Sequence, residues 1–195
     1  MKTGYIARHI ARGNRKLPKS TWIFNSGSAT DCSSMVLGLC QAGKKCYAKK
    51  AEIQYPAVLP YRRRQAEITS TVSPDDFVSA FNGAVARARN KPTAFRFNES
   101  GDFKNQAQLD WFASVCSALP VPCYGYTART DLDLSQLLKV ARVNVSNDIG
   151  GWIRKGANRF KLVKETTSKL SCPGSCKKCS MCQKLKGKTI QIQLH

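Results

Sequence analysis

Short runs of alternating hydrophobic and polar positions, separated by helical patterns, fill the middle of this chain. Thr21-Trp22-Ile23-Phe24-Asn25, Thr93 to Asn98, Pro122 to Thr127, Arg142 to Ser146, Arg159 to Lys164 and Thr189 to Leu194 are rich in the aromatic and β-branched residues of strands. Helices are expected between them. One runs from about Ala57 to Ser70. A second opens at Ser73-Pro74-Asp75-Asp76, where a Ser cap, a first-position Pro and two early acids favour a helix start. Its apolar face is Phe77, Phe81, Val85 and Ala88, and Asn90-Lys91-Pro92 stops it. A third covers about Asn105 to Leu119, burying Leu109, Phe112, Cys116 and Leu119, and a short one lies near Leu134–Lys139. Upstream, Ile6 to Lys19 reads as a short amphipathic helix or as an arm that orders on a partner.

Strand and helix alternate at the spacing of β–α units, which predicts a parallel sheet. Five or six strands are too few for a closed eight-stranded barrel. The expected class is α/β, a partial (open) parallel β/α barrel with long cysteine-bearing loops; a flavodoxin-like open sheet is the alternative. Either places functional residues at the carboxyl ends of strands. There lie the first cysteine loop, the Glu99–Asp102 turn, Thr127–Arg129 and Ser146–Asp148. The expected organisation is a basic arm over residues 1–20 and one α/β domain over 21–195, with a cysteine-rich loop near 165–188.

Composition adds two facts. The net charge is +20, carried by the two ends of the chain. Residues 1–64 hold 13 Lys and Arg against 2 acids, residues 65–153 hold 8 against 9, and residues 154–195 hold 11 against 1. Solubility requires far less charge than this, so a polyanion, nucleic acid before membrane, is the expected partner. No apolar run of about 18 residues or more occurs, and Met1 to Tyr5 is followed by no apolar stretch of a signal peptide. The expected location is cytoplasmic, where clustered thiols bind metal or do chemistry more often than they form disulfides.

The second fact is nine cysteines, four of them within eleven residues as Cys172-x3-Cys176-x2-Cys179-x2-Cys182. Structural zinc sites usually draw two separated Cys-x-x-Cys pairs. Compact runs with two- and three-residue gaps are the habit of iron–sulfur proteins. A [4Fe-4S] cluster is therefore the expected cofactor, with zinc or a metal-free role as alternatives. Cys32, Cys40 and Cys46, with gaps of seven and five, read as ordinary buried thiols, as extra ligands to that site, or as ligands of a second one. Cys116 and Cys123 read as core.

Glu99 and Asp102, at a strand's end, are the candidate catalytic carboxylates for acid–base or hydrated-metal chemistry; the alternative is a plain turn with Asp102 capping the next helix. Candidate nucleic-acid contacts are Arg8, Arg12, Arg15, Lys16, Lys49, Lys50, the run Arg62-Arg63-Arg64, Lys177 and Lys178, with Tyr126 and Arg129 placed to stack on unpaired bases. No Gly-rich phosphate loop is present, and two histidines are too few for His-centred hydrolysis.

Five stretches, in order, carry a family likeness: Cys32 through Cys46-Tyr47-Ala48-Lys49-Lys50-Ala51; Tyr55-Pro56-Ala57-Val58-Leu59-Pro60; Phe95-Arg96-Phe97-Asn98-Glu99-Ser100-Gly101-Asp102-Phe103; Tyr124-Gly125-Tyr126-Thr127; and Cys172 to Cys182. From about Lys16 to Cys182 the chain resembles the phage "gene product eighty-eight" proteins, a set remotely similar to the radical-SAM barrel. The resemblance implies a partial α/β barrel with a metal or iron–sulfur centre, in a phage or mobile element within a bacterial host. It brings no established reaction. The N-terminal loop lacks the three-then-two cysteine spacing and no Gly-Gly-Glu follows, which argues against SAM as a cofactor. The resulting expectation is an iron–sulfur protein that binds nucleic acid, DNA before RNA, with processing of that strand as its candidate enzymatic activity. A radical-SAM-like or redox enzyme using a [4Fe-4S] cluster is the first alternative, and a structural zinc protein that binds nucleic acid is the second.

Overall fold

The structure, a computed structural model, describes residues 3–146, 150–177 and 179–193, without the Lys44 side chain. The expected features at Asp148, Lys178 and Leu194 lie outside the described residues.

In chain order the elements are α1 (Thr3–Arg8), β1 (Ala11–Arg12), β2 (Thr21–Phe24), α2 (Ser33–Val36), α3 (Tyr47–Gln54), α4 (Val58–Thr71), α5 (Pro74–Arg87), β3 (Ala94–Phe97), α6 (Gln106–Ala118), β4 (Cys123–Thr127), α7 (Ser135–Val140), β5 (Ala141–Val145), β6 (Asn158–Val163), α8 (Met181–Lys184) and β7 (Thr189–Gln193). The strands form one open sheet in sequential order, parallel throughout except for the antiparallel β1–β2 pair at one edge. The fold is thus mixed α/β around a mostly parallel sheet.

Period-two alternation sorts the two faces of this sheet. Trp22, Phe24, Phe95, Phe97, Val143 and Val145 face one side, where they join Phe77, Phe81, Phe103, Trp111 and Phe112 from α5, α6 and the loop between β3 and α6 in one core. Edge-to-face pairs order that core, with Phe24 and Phe77 centroids 4.7 Å apart and Trp22 and Phe81 5.0 Å apart. Ile23, Arg96, Tyr124, Tyr126 and Asn144 alternate with these residues, so the register puts them together on the opposite face. The expected Ser73 cap forms, its hydroxyl accepting from Asp76 N at 3.1 Å.

The N-terminal segment is part of this core. Ile6 and Ile10 are buried and α1 packs on α5. The helix ends at Arg8 because the chain reverses at Gly13, at φ 61°, where Gly13 N donates to Thr21 O, and Asn14 Oδ1 accepts from Lys16 N and Leu17 N. The stretch between β2 and α4, expected as irregular loop, contains α2 and α3.

Candidate metal centre

The free face of the sheet is covered by the connection between β6 and β7. Its short helix α8 lies over β4 and β5. Two buried asparagines on that face hold it there: Asn144 Nδ2 donates to Cys182 O at 3.2 Å, and Asn158 Nδ2 donates to Leu185 O at 2.8 Å. Cys172, Cys176, Cys179 and Cys182 all line the pocket so formed, with Tyr124 and Tyr126 as its floor. All four are partly buried, and none of the nine cysteines is in a disulfide. Among the described residues no three His, Cys, Asp or Glu side chains converge as ligands of a single ion. The arrangement is a pocket lined with sulfur rather than a closed tetrahedron.

Electrostatics tie these thiols to one another. Burial pushes the Cys182 thiol up to about 11, with Cys172 and Cys176 adding to the rise, while a hydrogen bond with the Tyr126 hydroxyl works the other way. Cys176 is also raised, by burial and by Cys172 and Cys179, against the pull of Arg96 and Lys16. Thiols such as Cys176 and Cys182, raised in this way, are converted to thiolates when a soft cation joins them. The donor set fits an iron–sulfur cluster or zinc, both of which thiolates prefer to bind.

The N-terminal trio gathers elsewhere. Cys32 caps α2, buried, with Sγ 3.2 Å from Ser34 Oγ. Burial raises Cys40, and Cys46 and Asp102 lie close enough to raise it further. This group sits near the Asp102 turn, whereas the quartet lies over β4 and β5. Cys116 and Cys123 are buried in the core on the helical side.

The strand-end carboxylates differ. Asp102 is buried, and its carboxylate accepts from Ala128 N at 2.6 Å, Thr127 Oγ1 at 2.7 Å and Phe103 N at 2.9 Å. It ties the turn after β3 to the end of β4. Burial raises its pKa in spite of those donors. Glu99 is partly buried; its Oε1 accepts from Asn14 Nδ2, and its carbonyl accepts from the Tyr47 hydroxyl at 2.6 Å.

A third carboxylate, not singled out above, is more deeply engaged. Glu52 on α3 is buried and accepts from Ala29 N, Thr30 N, Thr30 Oγ1 and Arg62 NH1 at 2.7 to 2.9 Å. Arg62 also donates to Ala48 O at 2.9 Å. The sequence signal was present, because Glu52 is the only acid between Asp31 and Glu67 in a strongly basic stretch.

The basic candidates divide the same way. Arg8, Arg12, Arg15, Lys16, Lys49, Lys50, Arg63, Arg64 and Lys177 are exposed. Arg12 lies over Trp22 and Arg63 pairs with Asp31 at 2.7 Å. Arg62 and Arg129 are buried, Arg129 holding Asp131 at 2.8 Å and donating to the carbonyls of Phe103 and Lys104. Tyr126 is sandwiched: the Arg96 guanidinium lies 4.7 Å from its ring centroid and Phe160 meets it edge-on at 5.0 Å. The two basic ends of the chain meet at the cysteine pocket, where Cys176 N donates to Lys16 O at 3.1 Å.

No helix among the described residues is long and apolar enough to cross a membrane. No curated protein and no solved structure matches the chain. The family described as Gene product 88 matches residues 6–148, a stretch that holds the Cys32–Cys46 loop, the Glu99–Asp102 turn and the Tyr124–Tyr126 floor but ends before the cysteine quartet. With most of its length matched in this way, the chain belongs to the Gene product 88 family.

Proposed function

We propose that this chain is an iron–sulfur protein that binds nucleic acid, with Cys172, Cys176, Cys179 and Cys182 as the cluster ligands. The observation that carries the reading is that all four thiols line one pocket at the point where the two basic ends meet. The close cysteine spacing favours a cluster over a single ion. When bound, the cluster supplies a rigid cross-link for the β6–β7 connection and a redox-capable centre. The chain's own residues hold it: Asn144 and Asn158 anchor the loop backbone, and the Tyr126 hydroxyl bonds to Cys182.

Exposed Arg12, Arg15, Lys16, Lys49, Lys50 and Lys177 supply the phosphate contacts of this reading, with DNA preferred as the polyanion. Arg62, Arg129 and Tyr126 act within the fold, given the partners that hold them. Glu99 remains the candidate carboxylate for strand processing, since Asp102 is enclosed by donors that include Phe103 N, Thr127 Oγ1 and Ala128 N. The sequential parallel strands, with the long helices on one face and the site on the other, support reading the sheet as part of an open barrel. A cytoplasmic setting in a phage-infected or element-bearing cell accords with the family and with reduced thiols.

Purification without oxygen, followed by iron and acid-labile sulfide assay and a visible spectrum, tests the cluster. A brown protein that loses its colour in the Cys176→Ser variant is expected; a colourless, zinc-loaded protein overturns the cluster assignment. Binding of duplex and single-stranded DNA across a salt series tests the second half, and no binding even at low salt overturns it.

A further inference from the structure

Arg96 is a partly buried cation that forms no ion pair among the described residues and whose Nε is buried without a hydrogen-bond partner. It stands on β3 between Phe95 and Phe97, so alternation turns it to the face that carries the cysteine pocket, in register with Tyr124. Its Nε is shielded from solvent and makes no hydrogen bond, and the Tyr124 hydroxyl beside it is likewise buried without one of normal geometry, the Gln183 amide being its neighbour. Among the described residues the ion pairs are Arg62–Glu52, Arg63–Asp31 and Arg129–Asp131, so Arg96 is in none. Glu99, the carboxylate within electrostatic reach, is held by Asn14. Arg96 also neighbours the Tyr47 hydroxyl, the Tyr126 ring and the thiols of Cys176 and Cys182.

A charge drawn partly out of water without an ion-pair partner carries a desolvation cost, which an opposite charge placed beside it offsets. The quartet supplies that charge once it is metallated. Four thiolates around a doubly positive metal core leave the site with a net negative charge in a low-dielectric pocket. We infer that Arg96 is the fixed counter-charge of the four-thiolate site, a positioning residue that favours metal loading and raises the reduction potential of a bound cluster. This rests on the metal reading above. Lys16 contributes from the solvent side, where its screened charge counts for less.

The test compares wild-type protein with Arg96→Gln and Arg96→Lys, all full length and metal-free at the start. Cobalt(II) is titrated without oxygen, read by thiolate-to-metal absorbance and competed with a chelator. Arg96→Gln is expected to weaken cobalt binding at least tenfold, with Arg96→Lys recovering most of the loss. The potential of the reconstituted cluster is expected to fall in Arg96→Gln and to stay near wild type in Arg96→Lys. Thermal unfolding of the metal-free proteins separates this role from a structural one. Removing a partly buried cation that is in no ion pair is expected to leave metal-free Arg96→Gln as stable as metal-free wild type, or more so. Metal-free Arg96→Gln that is less stable or fails to fold overturns the inference. So does equal cobalt affinity in wild type and Arg96→Gln. Wild-type protein that takes up neither cobalt nor iron overturns the metal reading and this inference together.

Discussion

The backbone amide of Cys176 donates to the carbonyl oxygen of Lys16, joining the cysteine loop near the end of the chain to the turn just before β2. Around it, Asn14 Oδ1 organises the turn by accepting from Lys16 N and Leu17 N, and Asn14 Nδ2 reaches Glu99. The hydrogen bond therefore links three segments that carry separate candidate chemistries: the basic arm, the thiol pocket and the strand-end carboxylate. If the quartet holds a metal as proposed, stripping it should loosen all of them together. Hydrogen exchange before and after anaerobic chelation is expected to show peptides covering residues 13–17 and 172–182 gaining deuterium in parallel, while α5 is unchanged. An exchange increase confined to 172–182 would show that the arm holds its shape without the cysteine loop.

Convergence of the two basic ends also sets the salt response expected of the proposed DNA binding. Lys16 and Lys177 are both exposed beside Cys176, so each can neutralise one phosphate. Lys16→Glu with Lys177→Glu is expected to weaken duplex binding uniformly across sequences and to flatten the log–log salt dependence by roughly 2, at about 0.9 for each phosphate no longer neutralised. Lys91, which donates to the carbonyls of Val85 and Ala86 at the end of α5, serves as the control; Lys91→Glu is expected to leave the slope unchanged. Fluorescence anisotropy over a salt series reads both.

Glu52 and Arg62 bear on stability rather than binding. Glu52→Gln leaves the Arg62 guanidinium buried without its counter-charge, and losing one partner of such a pair costs about 3–5 kcal/mol. Urea unfolding at neutral pH should show that loss. Burial alone would raise the Glu52 pKa, but the donors from Ala29, Arg62 and Thr30 outweigh it and hold the value below its ordinary 4.5. A lowered folded pKa means that the carboxylate's contribution is full above 4.5 and is lost as the pH falls through the folded value. The stability gap between wild type and Glu52→Gln is therefore expected to narrow below about pH 4.5. Asp102, raised by burial, runs in the opposite sense, so the difference between the two proteins isolates Glu52 where the wild-type curve alone does not.

The parts of this molecule legible in its sequence are those set by local periodicity. Alternation alone placed Phe95 and Phe97 on one face of β3, and the Ser73-Pro74 start and the Phe77–Phe81 spacing fixed α5. What alternation cannot supply is the partner across the fold. Arg62-Arg63-Arg64 reads as one basic face, yet Arg62 turns inward to Glu52, ten residues upstream, and Arg63 is paired with Asp31. Tyr126 reads as a base-stacking ring at a strand's end, yet Arg96 and Phe160 occupy its surroundings because β3 and β6 present those side chains to the same face. The four thiols were recognisable by spacing, but their shared pocket depends on Asn144 and Asn158, two ordinary strand residues whose side chains catch the loop backbone.

Two glycines offer a check on the packing with opposite signs. Gly125 in β4 lies under the Phe97 ring: a Cβ built there stands 2.1 Å from the ring, far inside van der Waals distance. Phe97 cannot retreat freely, because Phe103 and Phe112 lie 6.0 and 5.9 Å from its centroid in the closed aromatic core. Gly125→Ala is therefore an overpacking change, expected to cost about 1–3 kcal/mol. Gly83 lies inside α5, where an added Cβ meets nothing nearer than the Arg87 guanidinium at 3.7 Å. Alanine there removes backbone freedom from the unfolded chain without a clash, and a gain of about 0.5–1 kcal/mol is expected. Urea midpoints of the two variants should move in opposite directions. If Gly125→Ala unfolds at the wild-type midpoint, Phe97 does not lie across β4, and the β3–β4 register that pairs Arg96 with Tyr124 loses one of its supports.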